Sequence, residues 1–278
     1  MTGKISSSGN IQTLLKADGS ITDAPAYCYY SLFSDCSSLA SAPRLPATTL
    51  AYRCYYRMFY SCTSLTTAPE LPATTLANNC YMSMFEGCSS LTTAPELPAT
   101  TLANNCYDHM FYSCTSLTTA PELPATTLAH SCYYSIFEGC SSLTTAPELP
   151  ATTLVNNCYD RMFYSCTSLT TAPELPATTL APSCYGSMFQ GCTSLTTAPE
   201  LPATTLANGC YGKMFAACKK LNTITLGYTG NFADAPSEAF GVWVIGVAPE
   251  GTFYYNGTDT TTGASAIPSG WTVTPFTS

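Results

Sequence analysis

The chain has 278 residues, of which 9% are charged and 46% hydrophobic, whereas an average globular domain has roughly 25% charged residues. The formal net charge of −8 argues against a nucleic-acid partner, which would need a basic surface to displace counterions. The sequence also has no apolar run of the ~18 residues that a membrane span requires, and its first residues lack the apolar core of a signal peptide. With so little charge, the polar surface must consist of Thr, Ser, Asn and Tyr, which favours an extracellular or virion protein over a cytosolic enzyme.

Residues 1–27 precede the first regular unit and are predicted to form an N-terminal cap. Within them, residues 9–15 read Gly-Asn-Ile-Gln-Thr-Leu-Leu. We expect this segment to form a strand that covers the first unit, because the end of a repeat array otherwise exposes its apolar core.

Residues 28–226 are built from about eight units of 26 residues. Cysteine recurs at this period, and a second cysteine follows each one eight residues later. The first members of the pairs are Cys28, Cys54, Cys80, Cys106, Cys132, Cys158, Cys184 and Cys210, and the second members are Cys36, Cys62, Cys88, Cys114, Cys140, Cys166, Cys192 and Cys218. A period of ~20–50 residues is the mark of a solenoid, in which each unit buries its apolar face against its neighbours.

Each unit has two halves of different character. In the third unit, Cys80, Met84 and Cys88 stand at i, i+4 and i+8, which predicts a short helix. Residues 90–94 are rich in Ser and Thr and predict a brief strand, after which two prolines keep the chain extended. Identical strands one period apart would stack in parallel. The predicted fold is therefore an α/β repeat solenoid of the leucine-rich-repeat type, with short parallel strands on one face and short helices on the other.

The recurring phrase C-Y-x-x-M-F-x-x-C-x-S-L-T-T-A-P-E-L-P-A-T-T-L resembles the 26-residue repeat of bacterial surface proteins, the BspA-like branch of the leucine-rich repeats. The resemblance covers about residues 28–226. It implies a right-handed solenoid and a non-enzymatic role in adhesion, mostly among gut and oral anaerobes and sometimes their phages. The expected partner is a host or bacterial surface protein or a glycan. The alternative is a phage tail-fibre or virion protein that binds a receptor.

Residues 227–278 lose the cysteine pattern and are predicted to form a β-rich C-terminal cap. Strands are expected at residues 242–245, 252–255 and 271–273, because apolar and β-branched residues cluster there between Gly and Pro. Both tryptophans of the chain, Trp243 and Trp271, lie in this segment and are expected to seal the last unit.

The paired cysteines have three interpretations: disulfides, a metal site or buried thiols. On a helix, residues eight apart are ~12 Å apart, too far for a disulfide, and zinc sites use closer spacing. Free cysteine is among the most buried residue types. We therefore expect buried thiols, with neither disulfides nor a bound metal.

Two further rows of identical residues are candidates for ligand binding. Glutamate stands at one position of six successive units, with Arg44 in the first unit, and the predicted strand carries paired threonines. These candidate residues are Thr67, Thr93, Thr119, Thr145, Thr171, Thr197, Glu70, Glu96, Glu122, Glu148, Glu174 and Glu200. The glutamate row is interpreted either as a solvated edge or as a row that binds cations or ligand. Because neighbouring residues of a strand face opposite sides, only one threonine of each pair is expected to face a ligand.

The remaining candidates are aromatic residues and histidines. A tyrosine follows the first cysteine of every unit and is expected to be packed in the core, whereas Tyr60, Tyr112 and Tyr164 are better candidates for exposed contacts. His109 and His130 stand at positions that vary between units and are expected to be solvated. Since none of the common catalytic or phosphate-binding motifs occurs, we predict that the protein is not an enzyme and uses no cofactor. The oligomeric state is left open.

Overall fold

The computed structural model describes residues 4–19 and 21–276. Their regular secondary structure comprises short strands and two 3₁₀ helices. The strands are β1 (Ile5–Ser6), β2 (Asp23–Ala24), β3 (Leu39–Ser41), β4 (Thr49–Leu50), β5 (Thr197–Leu201), β6 (Thr223–Leu226), β7 (Thr252–Tyr255) and β8 (Thr272–Thr274), and the 3₁₀ helices are Ile11–Leu14 and Phe232–Asp234. Strand β1 pairs with β3, β2 pairs with β4, and β5 to β8 form one sheet in sequence order. Every pairing is parallel, so the chain coils as the repeat predicts.

Between β4 and β5, neighbouring units are joined by isolated parallel bridges rather than by continuous strands. Threonines 26 residues apart pair in two rows. One row joins Thr67, Thr93, Thr119, Thr145 and Thr171, and the other includes the pairs Thr49 with Thr75, Thr101 with Thr127, Thr153 with Thr179 and Thr179 with Thr205. Proline has no N–H to donate to a ladder, and the Pro-Glu-Leu-Pro phrase lies between the two rows along the chain. The extended segments therefore stay short.

The segments between paired cysteines are not helices, and the sequence prediction is wrong on this point. In the third unit, Asn79, Ser83 and Gly87 have φ angles of 58°, 55° and 75°, and the same positions have positive φ in the other cysteine-containing units. A right-handed helix cannot contain a left-handed residue every four positions. In the described ranges, the chain contains no α-helix.

These segments form what we call the turn ribbon, defined in the third unit by residues 79–88. Half of its N–H groups bond locally, as in Met84 N to Tyr81 O at 3.1 Å. The alternate N–H groups donate to the next unit, as in Ser83 N to Asp108 O at 2.8 Å. An α-helix satisfies its own backbone, whereas this ribbon needs a neighbour for every second donor. The ribbon therefore forms only within the array.

The core contains two uninterrupted rows of aromatic rings. The first row is Tyr29, Tyr55, Tyr81, Tyr107, Tyr133, Tyr159, Tyr185 and Tyr211, with consecutive ring centroids 5.5–6.2 Å apart. The second is Phe33, Phe59, Phe85, Phe111, Phe137, Phe163, Phe189 and Phe215, at 5.5–5.8 Å. All eight tyrosines are buried, as the sequence predicts. Stacked rings of this kind stabilise the contact between units beyond their buried area.

At the N-terminal end, residues 9–15 do not form the predicted strand. Ile11–Leu14 is a 3₁₀ helix, and the side chain of Asn10 caps it by accepting a hydrogen bond from Gln12 N at 2.9 Å. The side chain of Gln12 is buried and accepts a hydrogen bond from the Tyr29 hydroxyl at 2.7 Å. A local cap thus replaces the strand, because Asn10 favours a helix start.

At the C-terminal end, the turn ribbon continues into residues 237–246. Phe215 N donates to Trp243 O at 2.8 Å, and Glu238, Val242 and Gly246 repeat the positive φ angles at intervals of four. The predicted strand at residues 242–245 is therefore wrong, whereas strands do lie at Thr252–Tyr255 and Thr272–Thr274. The Trp243 ring lies 6.5 Å from Tyr211 and 6.0 Å from Phe215. The division into residues 1–27, 28–226 and 227–278 stays a prediction.

Candidate ligand-binding face

The predicted threonines lie one above another on the surface of the array. Residues Thr67, Thr93, Thr119, Thr145 and Thr171 are joined by parallel backbone bridges, and Thr197 pairs with Thr223 in the sheet. All six candidate threonines are exposed. Since parallel chains are ~4.8 Å apart, the row presents a hydroxyl at about that interval. We call these threonines and the six candidate glutamates the threonine–glutamate face.

The two threonines of each pair differ in their hydrogen bonds, although both are exposed. In three of the pairs the first hydroxyl donates to the preceding unit, from Thr92 to Thr66 O at 3.4 Å, from Thr118 to Thr92 O at 3.4 Å and from Thr170 to Thr144 O at 3.3 Å. Both Thr66 and Thr67 are exposed, so exposure does not distinguish the two rows, and the expectation that the pair faces opposite sides stays a prediction. Among the described residues, the hydroxyls of the second row make no hydrogen bond within the chain, so they remain available to a ligand.

All six glutamates are also exposed. Alternation explains this in the fourth unit, where Leu123 and Ala125 are buried while Glu122 and Pro124 are exposed. None of the six carboxylates is in an ion pair with another described residue. The structure therefore places the candidate threonines and glutamates on the surface, on consecutive units and without competing partners among the described residues.

Shallow grooves separate the glutamates of neighbouring units. One groove of about 370 Å³ is lined by Glu70 and Glu96 together with Pro72, Pro95 and Pro98. A second, of about 310 Å³, lies between Glu148 and Glu174.

A third groove, of about 510 Å³, contains both Arg44 and Glu70. The repeat phrase therefore creates a row of proline-walled grooves with carboxylates at their edges and one arginine at the N-terminal end.

The face can accept hydrogen bonds and attract cations at regular intervals. The coiled backbone and its prolines already hold this face in one conformation. The protein would therefore lose little conformational entropy when a ligand binds. In the part of the chain that is described, no three metal-binding side chains gather at one point. The regular spacing of these groups along the array fits a ligand that touches several units.

The sixteen cysteines are free thiols in the structure, and all but Cys28 and Cys36 are buried. Seven thiols of the second series donate to a backbone carbonyl 29 residues earlier, as in Cys88 Sγ to Phe59 O at 3.1 Å. Burial raises the pKa of the Cys62 thiol to about 12 and that of Cys28 to about 11. The helix-based distance argument against disulfides no longer applies, because the segment is not a helix. The absence of disulfides stays a prediction.

The two histidines have different environments. His130 is exposed, as predicted, but His109 is half-buried and bonded to the Asp108 carboxylate, so the expectation of a solvated side chain is wrong there. Burial opposes protonation of His109, yet the hydrogen bond and charge of Asp108 raise its pKa overall. Two units further along, at the position equivalent to Asp108, burial raises the pKa of Asp160 to about 7 against the opposing effect of Arg161.

The variable tyrosines Tyr60, Tyr112 and Tyr164 are partly buried and lie on the turn ribbon, away from the threonine bridges in sequence. The guanidinium of Arg161 lies 5.9 Å from the Tyr164 ring centroid, and that of Arg57 lies 4.9 Å from the Tyr60 ring centroid. These tyrosine–arginine contacts were not predicted from the sequence. A basic residue three positions before each of these tyrosines was the available signal.

Comparison with known proteins identifies the repeat. A model of the BspA type leucine rich repeat region matches in six copies over residues 20–143 and 104–241. No curated protein matches the sequence. Among solved structures, a leucine rich cell surface protein from Faecalibacterium prausnitzii A2-165 is 16% identical, with 91% of this chain and 83% of that chain covered and a TM-score of 0.28. A likeness this loose adds nothing to the argument. In the described ranges, no helix has the length and apolarity needed to cross a bilayer.

Proposed function

The chain belongs to the BspA type leucine-rich repeat family, and from this premise we propose that it is a non-enzymatic surface protein that binds ligand through the threonine–glutamate face. The observation that carries the proposal is the exposure of the same Thr and Glu side chains on six consecutive units. Repetition without change favours a face that contacts one repeating or extended ligand, because a single pocket would need only one unit.

Multivalent contact explains how such a polar face can reach a high overall affinity from weak individual contacts. A single exposed hydroxyl or carboxylate contributes little in water. When units are linked in a rigid array, each further contact becomes intramolecular and raises the overall affinity without any new type of interaction. Affinity should therefore depend steeply on the number of units.

The proposed partner is a host or bacterial surface protein or a glycan, and the proposed location is extracellular or at the cell surface. Hydroxyl and carboxylate groups suit a ligand with hydrogen-bond donors or cationic groups at intervals of ~5 Å. The virion alternative would use the same face for receptor binding, and no specific observation favours it over the bacterial surface.

The test begins with an array of glycans and matrix proteins that identifies a ligand. With that ligand, the variant Glu122→Gln/Glu148→Gln should bind at least about fivefold more weakly, since two central contacts of a multivalent set are lost, and should unfold at the same temperature. The control Tyr60→Ala/Tyr112→Ala/Tyr164→Ala should retain binding. If the glutamate variant binds normally while the tyrosine variant does not, the ligand binds the turn ribbon and the proposed face is wrong.

A further inference from the structure

The first two units carry a cluster of tyrosines and arginines that the later units lack. We call it the tyrosine–arginine patch. It consists of Tyr27, Tyr30, Tyr52, Arg53, Tyr56, Arg57 and Tyr60. In a chain with a net charge of −8, the patch is a local concentration of positive charge, and it lies on the turn ribbon rather than on the threonine–glutamate face.

Ring and guanidinium contacts join all seven side chains. Arg53 lies 5.1 Å from the Tyr52 ring centroid and 5.2 Å from that of Tyr56. Arg57 lies 5.4 Å from Tyr56 and 4.9 Å from Tyr60. Each guanidinium thus lies close to two rings, and cation–π contacts of this kind fix its orientation while leaving those of its N–H groups that reach the surface free to donate.

The tyrosines also contact one another across the two units. Tyr30 and Tyr56 stack with centroids 4.8 Å apart and an angle of 12° between the rings. Tyr27 lies edge-on to Tyr52 at 5.3 Å. Because Tyr56 is already in contact with Tyr30 and with both guanidiniums, its faces are not free to stack on a sugar ring.

Both arginines stand where the backbone favours smaller residues. Arg53 and Arg57 have φ angles of 53° and 52°, a region in which long side chains are uncommon. The third unit has Asn79 and Ser83 at the same two positions, and such residues suit this conformation better.

The arginines are not used to stabilise the chain by ion pairs. Among the described residues, neither Arg53 nor Arg57 pairs with a carboxylate, and the buried Nε of Arg53 has no hydrogen-bond partner. Arg57, Tyr27, Tyr30 and Tyr52 are exposed. Tyr and Arg are also the residues that contribute most to binding at protein interfaces.

We propose that the tyrosine–arginine patch binds a short acidic segment of a partner protein, with carboxylates accepting from the two guanidiniums. Arginine forks match carboxylate geometry and form charge-assisted hydrogen bonds. A long anionic polysaccharide fits less well, because it would continue along the ribbon to Glu86 and Glu138, which occupy the Tyr60 position in later units and would repel it. This site is independent of the proposed threonine–glutamate face.

The experiment measures binding of a fluorescent oligo-glutamate peptide to the whole chain at low salt. We expect binding that weakens as salt increases, no binding of an oligo-glutamine peptide, and at least about tenfold loss of affinity in Arg53→Gln/Arg57→Gln, since two charge-assisted contacts are removed. Arg53→Lys/Arg57→Lys keeps the charge but not the fork, and should lose affinity by an intermediate factor. If the glutamine variant does not fold, the affinity of the lysine variant for the peptide tests the proposal instead, and an unchanged affinity would contradict it.

Arg161→Gln is the matched control. Arg161 occupies the same position as Arg57 four units later, with a φ of 55°, but among the described residues its guanidinium lies over only one tyrosine ring, that of Tyr164. Arg161→Gln should change peptide affinity by less than about twofold. Glu122→Gln/Glu148→Gln should not weaken peptide binding either. Equal loss in Arg161→Gln and Arg53→Gln/Arg57→Gln, or no loss in the latter, would overturn the proposal. Binding of heparin but not of the peptide would also overturn it, in favour of an anionic glycan.

Discussion

At the scale of single residues, the buried tyrosine row contains hydroxyls with unequal partners. The Tyr29 hydroxyl donates to Gln12 Oε1 at 2.7 Å, whereas those of Tyr55, Tyr81 and Tyr107 are buried without a partner among the described residues. A buried polar group without a hydrogen bond costs ~1–3 kcal/mol, while losing a satisfied bond costs ~1 kcal/mol. The same chemical change should therefore have opposite effects at two positions of one row.

We predict that Tyr81→Phe increases the free energy of unfolding by about 1 kcal/mol and that Tyr29→Phe lowers it by about 1 kcal/mol. Denaturant-induced unfolding, followed by tyrosine fluorescence and circular dichroism, measures both. The two rings have equivalent stacking neighbours on their C-terminal side, which makes Tyr29→Phe a close control. If Tyr81→Phe is as destabilising as Tyr29→Phe, the internal hydroxyls are satisfied by bound water.

At the scale of the element, the turn ribbon explains what the sequence could and could not predict. Cys80, Met84 and Cys88 do lie on the buried side, as the spacing predicts, because a period of four resembles the helical period of 3.6. The backbone conformation was not predictable from one unit alone, since every second N–H of the ribbon is satisfied by the next unit. Parallel stacking, the buried tyrosines and the exposed glutamates followed from repetition, whereas Arg53, Arg57 and His109 depend on contacts particular to their own units.

The ribbon also gives a physical reason for the alternation of Ser and Gly before the second cysteine. A Cβ atom on Gly139 would lie 3.1 Å from Ser113 Oγ, and one on Gly191 would lie 3.1 Å from Ser165 Oγ. Each of these glycines therefore faces a serine of the preceding unit, and a Cβ atom there would make a tight contact that the serine hydroxyl would have to move to relieve. Ser and Gly alternate at this position from the second unit to the seventh, which gives the sequence a period of 52 residues there. We infer that packing between neighbouring units favours this alternation.

We predict that Gly139→Ser lowers the free energy of unfolding by about 1–2 kcal/mol, because the new side chain crowds Ser113. The φ angle alone does not forbid serine, since Ser113 has a φ of 57° at the equivalent position. Adding Ser113→Gly should recover part of the loss, and a double-mutant cycle measures this coupling. Additive effects of the two substitutions would show that the alternation has no packing role.

At the scale of the whole molecule, the array is stabilised by contacts between neighbours, which include the stacked rings, the threonine bridges and the hydrogen bonds between ribbons. Stability in such a molecule is approximately a sum over units and their interfaces. The stability of the array after an internal deletion therefore depends less on the number of units removed than on how well the two units brought together pack against each other. The Ser and Gly alternation makes two adjacent units, rather than one, the segment that can be removed without a mismatch.

Deletions of one and two units test this argument directly. Deleting residues 80–131 removes two units and brings Ser61 next to Gly139, which preserves the alternation, so we expect a folded protein with an unchanged spectrum and a small loss of stability. Deleting residues 80–105 removes only one unit but brings Ser61 next to Ser113. The shorter deletion should therefore lower the unfolding temperature more than the longer one does, as measured by thermal unfolding. If stability simply follows the number of units that remain, then the array tolerates any neighbour and the 52-residue period records only how the sequence was duplicated.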